Sequence, residues 1–170
     1  GLEPTGEIHT MPSHAVRLHM CFAPTKGDRP DWAVQKLTEL GVASIRPLTC
    51  ARSIVRWDSD KASKQLERWE RIAKEAAMQS RRTTLPIIEP VTRSIDLARS
   101  GHVLRTDIGG STIGALDWQS LGELTLLVGP EGGWSDEECE RWPDSVSFGY
   151  TVLRTETAAV ALASAAIALG

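Results

Sequence analysis

The segment Gly129-Pro130-Glu131-Gly132-Gly133 sets three glycines around one carboxylate. Residues without Cβ let a ligand approach the backbone and let amide N–H groups point at it. About twenty residues later stands Leu153-Arg154-Thr155-Glu156, with a guanidinium two positions before a second carboxylate. An arginine in such a place can stabilise charge that develops on a bound group, or orient that group through its planar fork. Glu156 can orient the arginine in turn, or complement the positive end of the helix that follows. No GxxxxGK[ST] pattern is present and no lysine follows the glycines, which argues against a phosphate-loop nucleotidase. Metal chemistry finds no support either. The three cysteines, Cys21, Cys50 and Cys139, are far apart, and His9, His14 and His19 recur by fives, which fits neither a helix face nor a strand face.

The elements that must position these groups follow from local pattern. Thr125-Leu126-Leu127-Val128 is an apolar run of the kind buried on both faces of a sheet. After the glycines come Ser135 and, three residues on, Glu138, the signal of a capping box. The reading is buried strand, glycine-rich loop, helix. In open α/β sheets ligands bind at that junction, beyond the carboxyl ends of the strands. Upstream, residues 15–22 predict a first strand. Asp28 as N-cap, Pro30 in the first turn and Gly41 as stop predict a helix with Ala33, Val34, Leu37 and Leu40 on its apolar face. Residues 42–48 predict a second strand and 59–78 a long helix buried through Leu66, Trp69, Ala73, Ala76 and Ala77. Residues 85–88 predict an edge strand, 95–98 a short helix, 102–104 a brief strand, 108–121 irregular chain and 145–148 a last strand. The closing helix, 156–169, is apolar almost all round, which implies burial on every side and cover from a second copy of the chain. Alternating strands and helices indicate an α/β fold with a mostly parallel sheet.

The 170 residues suffice for one domain with a substantial core. Residues 1–15 are polar with glycine and proline and read as a lead-in, and no secretory signal pattern is expected there. No run approaches the ~20 apolar residues of a membrane span. Unpaired cysteines suit a reducing cytosol. The net charge of −3 hides a split: residues 46–82 hold ten Lys and Arg against five Asp and Glu, a balance of +5, which leaves −8 elsewhere. A basic segment in an acidic chain suits an RNA partner as well as a solvated helix face with pairs such as Glu67–Arg71. Arg52, Arg56, Arg81 and Arg82 are the candidate phosphate contacts. Trp57 can stack on a base or sit in the core.

Five segments together resemble a known family: KGDRPDWAVQKLTELGV (26–42), RSIVRW (52–57), RWERIAKEAAMQSRRTTLPII (68–88), LLVGPEGGWSDEE (126–138) and LRTETA (153–158). They look like the catalytic domain of the RsmE family, the 16S rRNA uridine-N3 methyltransferases of the SPOUT superfamily. The likeness covers most of the chain from about residue 16, and GPEGG followed by LRTETA is its specific part. It implies a SPOUT α/β fold with a C-terminal trefoil knot in a homodimer, with residues 16–170 as the methyltransferase domain and 1–15 as the remnant of, or linker from, an N-terminal PUA-like RNA-binding domain. It implies S-adenosylmethionine as methyl donor, S-adenosylhomocysteine as product, uridine 1498 of 16S rRNA in the small ribosomal subunit as target, and a cytoplasmic site of action. By the same analogy the donor would be held by Leu104, Arg105, Thr106, Leu127, Val128, Gly129, Pro130, Glu131, Gly132, Gly133, Val152, Leu153, Arg154 and Thr155. Arg154 and Glu156 would be the catalytic pair. One departure stands out: the family usually carries Gly-Pro-Arg before LRTETA, whereas residues 149–151 here are Gly-Tyr-Thr. Two other readings stay open: a SPOUT enzyme acting on another RNA, and a non-catalytic RNA-binding module that keeps a cofactor pocket.

Overall fold

The computed structural model describes residues 16–170, so the lead-in and the expectations attached to residues 1–15 lie outside the described residues. Strand β1 (Arg17–Phe22) is followed by α1 (Arg29–Leu40), β2 (Ser44–Thr49) and the long α2 (Ser59–Gln79). Short strands β3 (Ile87–Ile88) and β4 (Thr92–Arg93) lead through a 3-10 turn, Ser94–Asp96, to β5 (His102–Thr112). Two further 3-10 turns precede β6 (Glu123–Val128), α3 (Asp136–Arg141), β7 (Ser145–Ser147) and α4 (Thr155–Leu169). Strand order is β3-β2-β1-β6-β5-β7, with β4 extending the β2 edge, and every ladder between described strands is parallel. This is the α/β class expected from the alternation of elements.

The strands divide the core by simple alternation. Leu18, Met20 and Phe22 of β1 and Leu124, Leu126 and Val128 of β6 face one way and pack with Ala33, Val34, Trp69, Leu162 and Ala163. Cys21 and Leu127 face the other way and pack with Leu48, Cys50, Leu97 and Trp142. Helices α1, α2 and α4 thus contribute to one layer, and the chain that follows α3 closes the other. Burial pushes the Cys21 thiol up to about 12, so it stays a neutral core group.

Most elements stand where local pattern puts them, and the exceptions have physical causes. Asp28 precedes α1, yet its side chain makes no capping bond; its backbone carbonyl accepts from Asp31 and Trp32 instead. The long helix begins at Ser59 as expected, with the Asp58 carboxylate as its N-cap accepting from Lys61 N at 2.8 Å. Leu66 is only half-buried, while Trp69 carries the α2 contact. The brief strand expected at 102–104 runs on to Thr112. Its ladder with β7 skips from Thr106 to Ser111, both opposite Val146, so residues 107–110 bulge out. That bulge disguises the alternation on which a strand reading depends. Helix α4 buries Thr155, Glu156, Ala159, Leu162, Ala163 and Ala166, while Val160, Ala161, Ala165 and Ile167 are half-exposed in the single chain. No helix among the described residues is long and apolar enough to cross a membrane.

Trp69 ties the helical layer together. It is fully buried, stacks on Phe22 at 5.4 Å, meets the edge of Trp57 at 5.7 Å and donates Nε1–H to Asp31 at 3.0 Å. Trp57 is therefore a member of the core packing. Trp69→Ala is expected to cost about 3–5 kcal/mol, the range for deleting a buried large aromatic, read as a lowered urea midpoint.

Candidate functional site

The glycine-rich loop leaves the carboxyl end of β6 at the centre of the sheet. Gly133 N donates to Pro130 O at 2.9 Å and closes the turn. The side chain of Trp134 folds back beneath the loop, and its Nε1–H donates to Thr106 O at 2.8 Å, tying β5 to β6. A Cβ on Gly129 would lie 2.8 Å from the Trp134 ring, so only glycine permits this return. From the other side Thr155, the first residue of α4, donates its hydroxyl to Gly129 O at 3.0 Å. The loop is thus clamped between β5 and the start of the closing helix.

The helix after the loop is secured by Glu138. Its Oε2 accepts from Ser135 N at 2.9 Å, and its own N–H donates to Ser135 Oγ, completing the capping box read from the sequence. Its Oε1 accepts from Ala51 N at 3.0 Å and from the Ser94 hydroxyl. Burial alone would push this carboxyl up, but the hydrogen bonds from Ser135, Ser94 and Ala51 outweigh it and hold it below its ordinary value of 4.5. Burial also pushes the Cys50 thiol beside it up to about 12, with the Glu138 charge adding to the rise.

Around the clamped loop opens a cleft of about 290 Å³ at the carboxyl ends of β5, β6 and β7. Of the predicted donor-site residues, Thr106, Val128, Gly129, Pro130, Glu131, Gly133, Val152, Leu153 and Thr155 line it. Leu104, Arg105, Leu127, Gly132 and Arg154 do not. Leu104 packs on the main core and Leu127 is fully buried in the second core. Arg105 points its guanidinium to Trp142 O at 2.9 Å and to the Asp107 carboxylate, which it holds below the usual carboxylate range. Gly132 faces the basic loop, where its carbonyl accepts from Arg52 at 3.2 Å. Arg154 is the exposed residue at the start of α4.

Glu156 differs most from its expected setting. It is buried and lies beside Arg29 of α1, with Oε1 at 3.6 Å from the guanidinium Nε, instead of orienting Arg154. The four candidate RNA contacts form two separate pairs. Arg52 and Arg56 flank the loop before α2, where Arg56 donates to Ala51 O at 3.2 Å. Arg81 and Arg82 lie beyond the other end of that helix, roughly 30 Å away at 1.5 Å per residue. Arg81 is exposed, whereas Arg82 is half-buried and donates to Thr84.

Cleft residues that pattern reading missed come from the bulge and from the second strand-end loop: Asp107, Ile108, Ser147 and Phe148; Thr151, marked by its departure from the family motif, lines the cleft as well. The glycine pair Gly109-Gly110 was the available signal for the bulge. Trp134 and Cys139, on the loop and α3, also line the cleft.

A parallel α/β sheet with a glycine-loop cleft over its central strand ends, closed by the start of the final helix, defines an α/β ligand-binding domain. The chain belongs to the RNA methyltransferase family: the family described as RNA methyltransferase domain matches residues 12–167. The Bacillus subtilis protein named ribosomal RNA small subunit methyltransferase E is 32% identical over 92% of this chain and 66% of its own length. The Mycobacterium tuberculosis protein of the same name is also 32% identical, over 85% of this chain and 58% of its own. The Neisseria gonorrhoeae ribosomal RNA small subunit methyltransferase E, solved bound to S-adenosylmethionine, superposes with a TM-score of 0.78. It is 33% identical over 88% of this chain and 65% of that one. The resemblance read from the five segments is thereby borne out. An RNA 2'-O ribose methyltransferase, 12% identical with a TM-score of 0.61, shares the fold. The chain spans about three fifths to two thirds of the length of these curated relatives.

Two outcomes are expected from this geometry. Gly129→Ala forces Trp134 out of its return and should abolish ligand-induced protection of the loop in hydrogen exchange. Glu138→Gln should lower stability by at least about 1.5 kcal/mol at neutral pH, the scale of hydrogen bonds to a charged group. Because the folded value of Glu138 lies below 4.5, its contribution is present above 4.5 and fades as pH falls through the folded value. Urea midpoints of the two proteins should converge in acid.

Proposed function

We propose that this chain is the catalytic domain of a 16S rRNA methyltransferase that places a methyl group on N3 of a uridine, uridine 1498 by family likeness. The observation that carries this is the cleft itself. The two motifs shared with the family, glycine loop and Leu153–Thr155, meet across it although they lie some twenty residues apart. Its chemistry fits S-adenosylmethionine: Val128, Val152, Leu153, Ala158 and Leu162 supply apolar cover for an adenine, and the backbone of three strand-end loops supplies polar groups. When bound, that donor supplies an electrophilic methyl on a sulfonium whose leaving group is neutral S-adenosylhomocysteine.

The residues of the chain have the remaining work. N3 of a uridine is a poor nucleophile until its proton leaves. Glu131 is an exposed carboxylate on the rim of the cleft and is suited to take that proton, directly or through water. Arg154, beside the cleft wall, stabilises the charge that appears on the uracil oxygens. Arg52 and Arg56 near the loop, with Arg81 and Arg82 beyond α2, contact phosphates of the rRNA in the small subunit. The half-exposed apolar side of α4 supports a homodimer, and the clamp of Thr155 on Gly129 suits a C-terminal trefoil knot. The protein acts in the cytoplasm. A second reading, an RNA-binding module that keeps the donor pocket, is favoured by one observation: Thr151, where the family usually has arginine, lines the cleft.

The test is methylation of unmodified small subunits, with nucleoside mass spectrometry, by this chain and by a version carrying a PUA-like N-terminal domain. N3-methyluridine from either supports the reading. No product from both while the donor binds supports the binding module. Arg154→Ala is expected to lower turnover at least about tenfold with donor affinity within about twofold; collapse of affinity with intact turnover would reject its role.

A further inference from the structure

A second, smaller cleft of about 220 Å³ lies against the outer side of the glycine loop. It shares Pro130 and Glu131 with the larger cleft, so the two adjoin at this turn of chain. Its other walls are Pro24, Thr25, Lys26 and Arg29 from the β1–α1 connection and Ile54 and Val55 from the basic loop before α2. None of these was assigned a role by pattern reading. The walls are of three kinds. Ile54, Val55 and the prolines are apolar; Lys26, Arg29 and the Thr25 hydroxyl are donors; and the shared Glu131 is an acceptor. A flat ring with apolar faces and acceptor oxygens on its edge is the complement of such a site.

One wall residue carries a buried polar atom without a partner, the Thr25 hydroxyl oxygen. A second such atom belongs to a residue that does not line the cleft but pairs with its Arg29: Oε2 of Glu156, a carboxylate whose side chain is only 8% exposed and whose Oε1 faces Arg29. A carboxylate left half-satisfied in the interior is costly. It is understandable where its charge serves to hold a cation in position. Arg29 is that cation: its side chain is 45% exposed, anchored from below by Glu156 and presented to the cleft.

We propose that this smaller cleft seats the target uracil, with Arg29, anchored by buried Glu156, presented to its carbonyl edge. The assignment rests on the uridine methylation proposed above and adds Arg29 to Arg154 as a second guanidinium at the reacting base. In the step it serves, the N3–H bond breaks and its proton passes to Glu131 or water. The freed pair on N3 forms the N–CH3 bond as the S–CH3 bond of the donor breaks, and the sulfur keeps that electron pair. Negative charge spread over O2 and O4 before the transfer is what a guanidinium stabilises. Glu156 is a positioning residue that acts through Arg29.

Two measurements test this, one of them independent of turnover. In the first, small-subunit rRNA substituted with 4-thiouridine is photocrosslinked to the wild-type chain in the presence of S-adenosylhomocysteine, and the modified peptides are mapped. Crosslinks within residues 24–29 or 54–55 are expected. Crosslinks confined to other segments, or none while the donor product binds, overturn the assignment. In the second, turnover is compared for Arg29→Ala, Glu156→Gln, the double variant and Arg29→Lys. Arg29→Ala is expected to lower kcat at least about tenfold with S-adenosylmethionine affinity within about twofold. Glu156→Gln should lower kcat less, and the double variant should be no worse than Arg29→Ala alone. Arg29→Lys should recover only part, since an ammonium lacks the planar fork. Wild-type kcat in Arg29→Ala overturns the proposal. Crosslinks in the cleft without N3-methyluridine would reject the methylation reading and leave the base site standing; product with crosslinks elsewhere would do the reverse.

Discussion

The buried carboxylate of Glu138 is the point on which the arrangement of the loops depends. It accepts from Ser135 N, Ala51 N and the Ser94 hydroxyl, which lie on three separate stretches of chain. Ala51 belongs to the connection after β2, Ser94 to the turn after β4, and Ser135 to the end of the glycine loop. A neutral side chain of the same size could not accept from three donors at once with comparable strength. Close by, Trp142 donates to Ser94 O at 3.0 Å, and the Arg141 guanidinium lies 4.1 Å over its ring while reaching Leu97 O. Together these contacts hold one edge of the glycine loop and the basic loop in fixed relation.

That relation explains why a single turn of chain can form walls of two clefts. Residues 129–133 are held from below by Trp134, from α4 by Thr155 and from the basic loop by Arg52. Thr155 and Arg52 each bond a backbone carbonyl of the loop, and the Trp134 indole bonds Thr106 O, which leaves the Glu131 carboxylate free of these anchors. Glu131 stays exposed where the two clefts adjoin. Preorganisation of this kind costs nothing at the moment a ligand binds, because the loop has already lost its freedom on folding.

The basic segment illustrates how composition and placement differ in meaning. Its balance of +5 is a property of the sequence, but its arginines do not form one patch. Helix α2 separates Arg52 and Arg56 from Arg81 and Arg82 by its own length. Charges more than a Debye length apart act almost independently at physiological salt. Two distant basic pairs match a long or folded polyanion better than a small one.

The strand run at 125–128, the glycine turn, the Ser135–Glu138 capping box and the stop at Gly41 were all legible without coordinates. Each depends on residues within four or five positions of one another, where periodicity and backbone preference act directly. Gly41 adopts φ of 96° and closes α1, as its lack of a Cβ permits. The bulge in β5 was hidden because its partner, Val146, lies some forty residues away. The destination of Glu156 was hidden for the same reason. Two positions from Arg154 in sequence, it lies in space beside Arg29, 127 residues earlier, because the packing of α4 on α1 and β1 sets which groups meet. Local sequence thus determined the elements and the two motifs. Only the tertiary packing decided which donors Glu138 gathers, which arginine Glu156 holds, and that one loop borders two adjoining clefts, because contacts across the sheet carry no periodic trace along the chain.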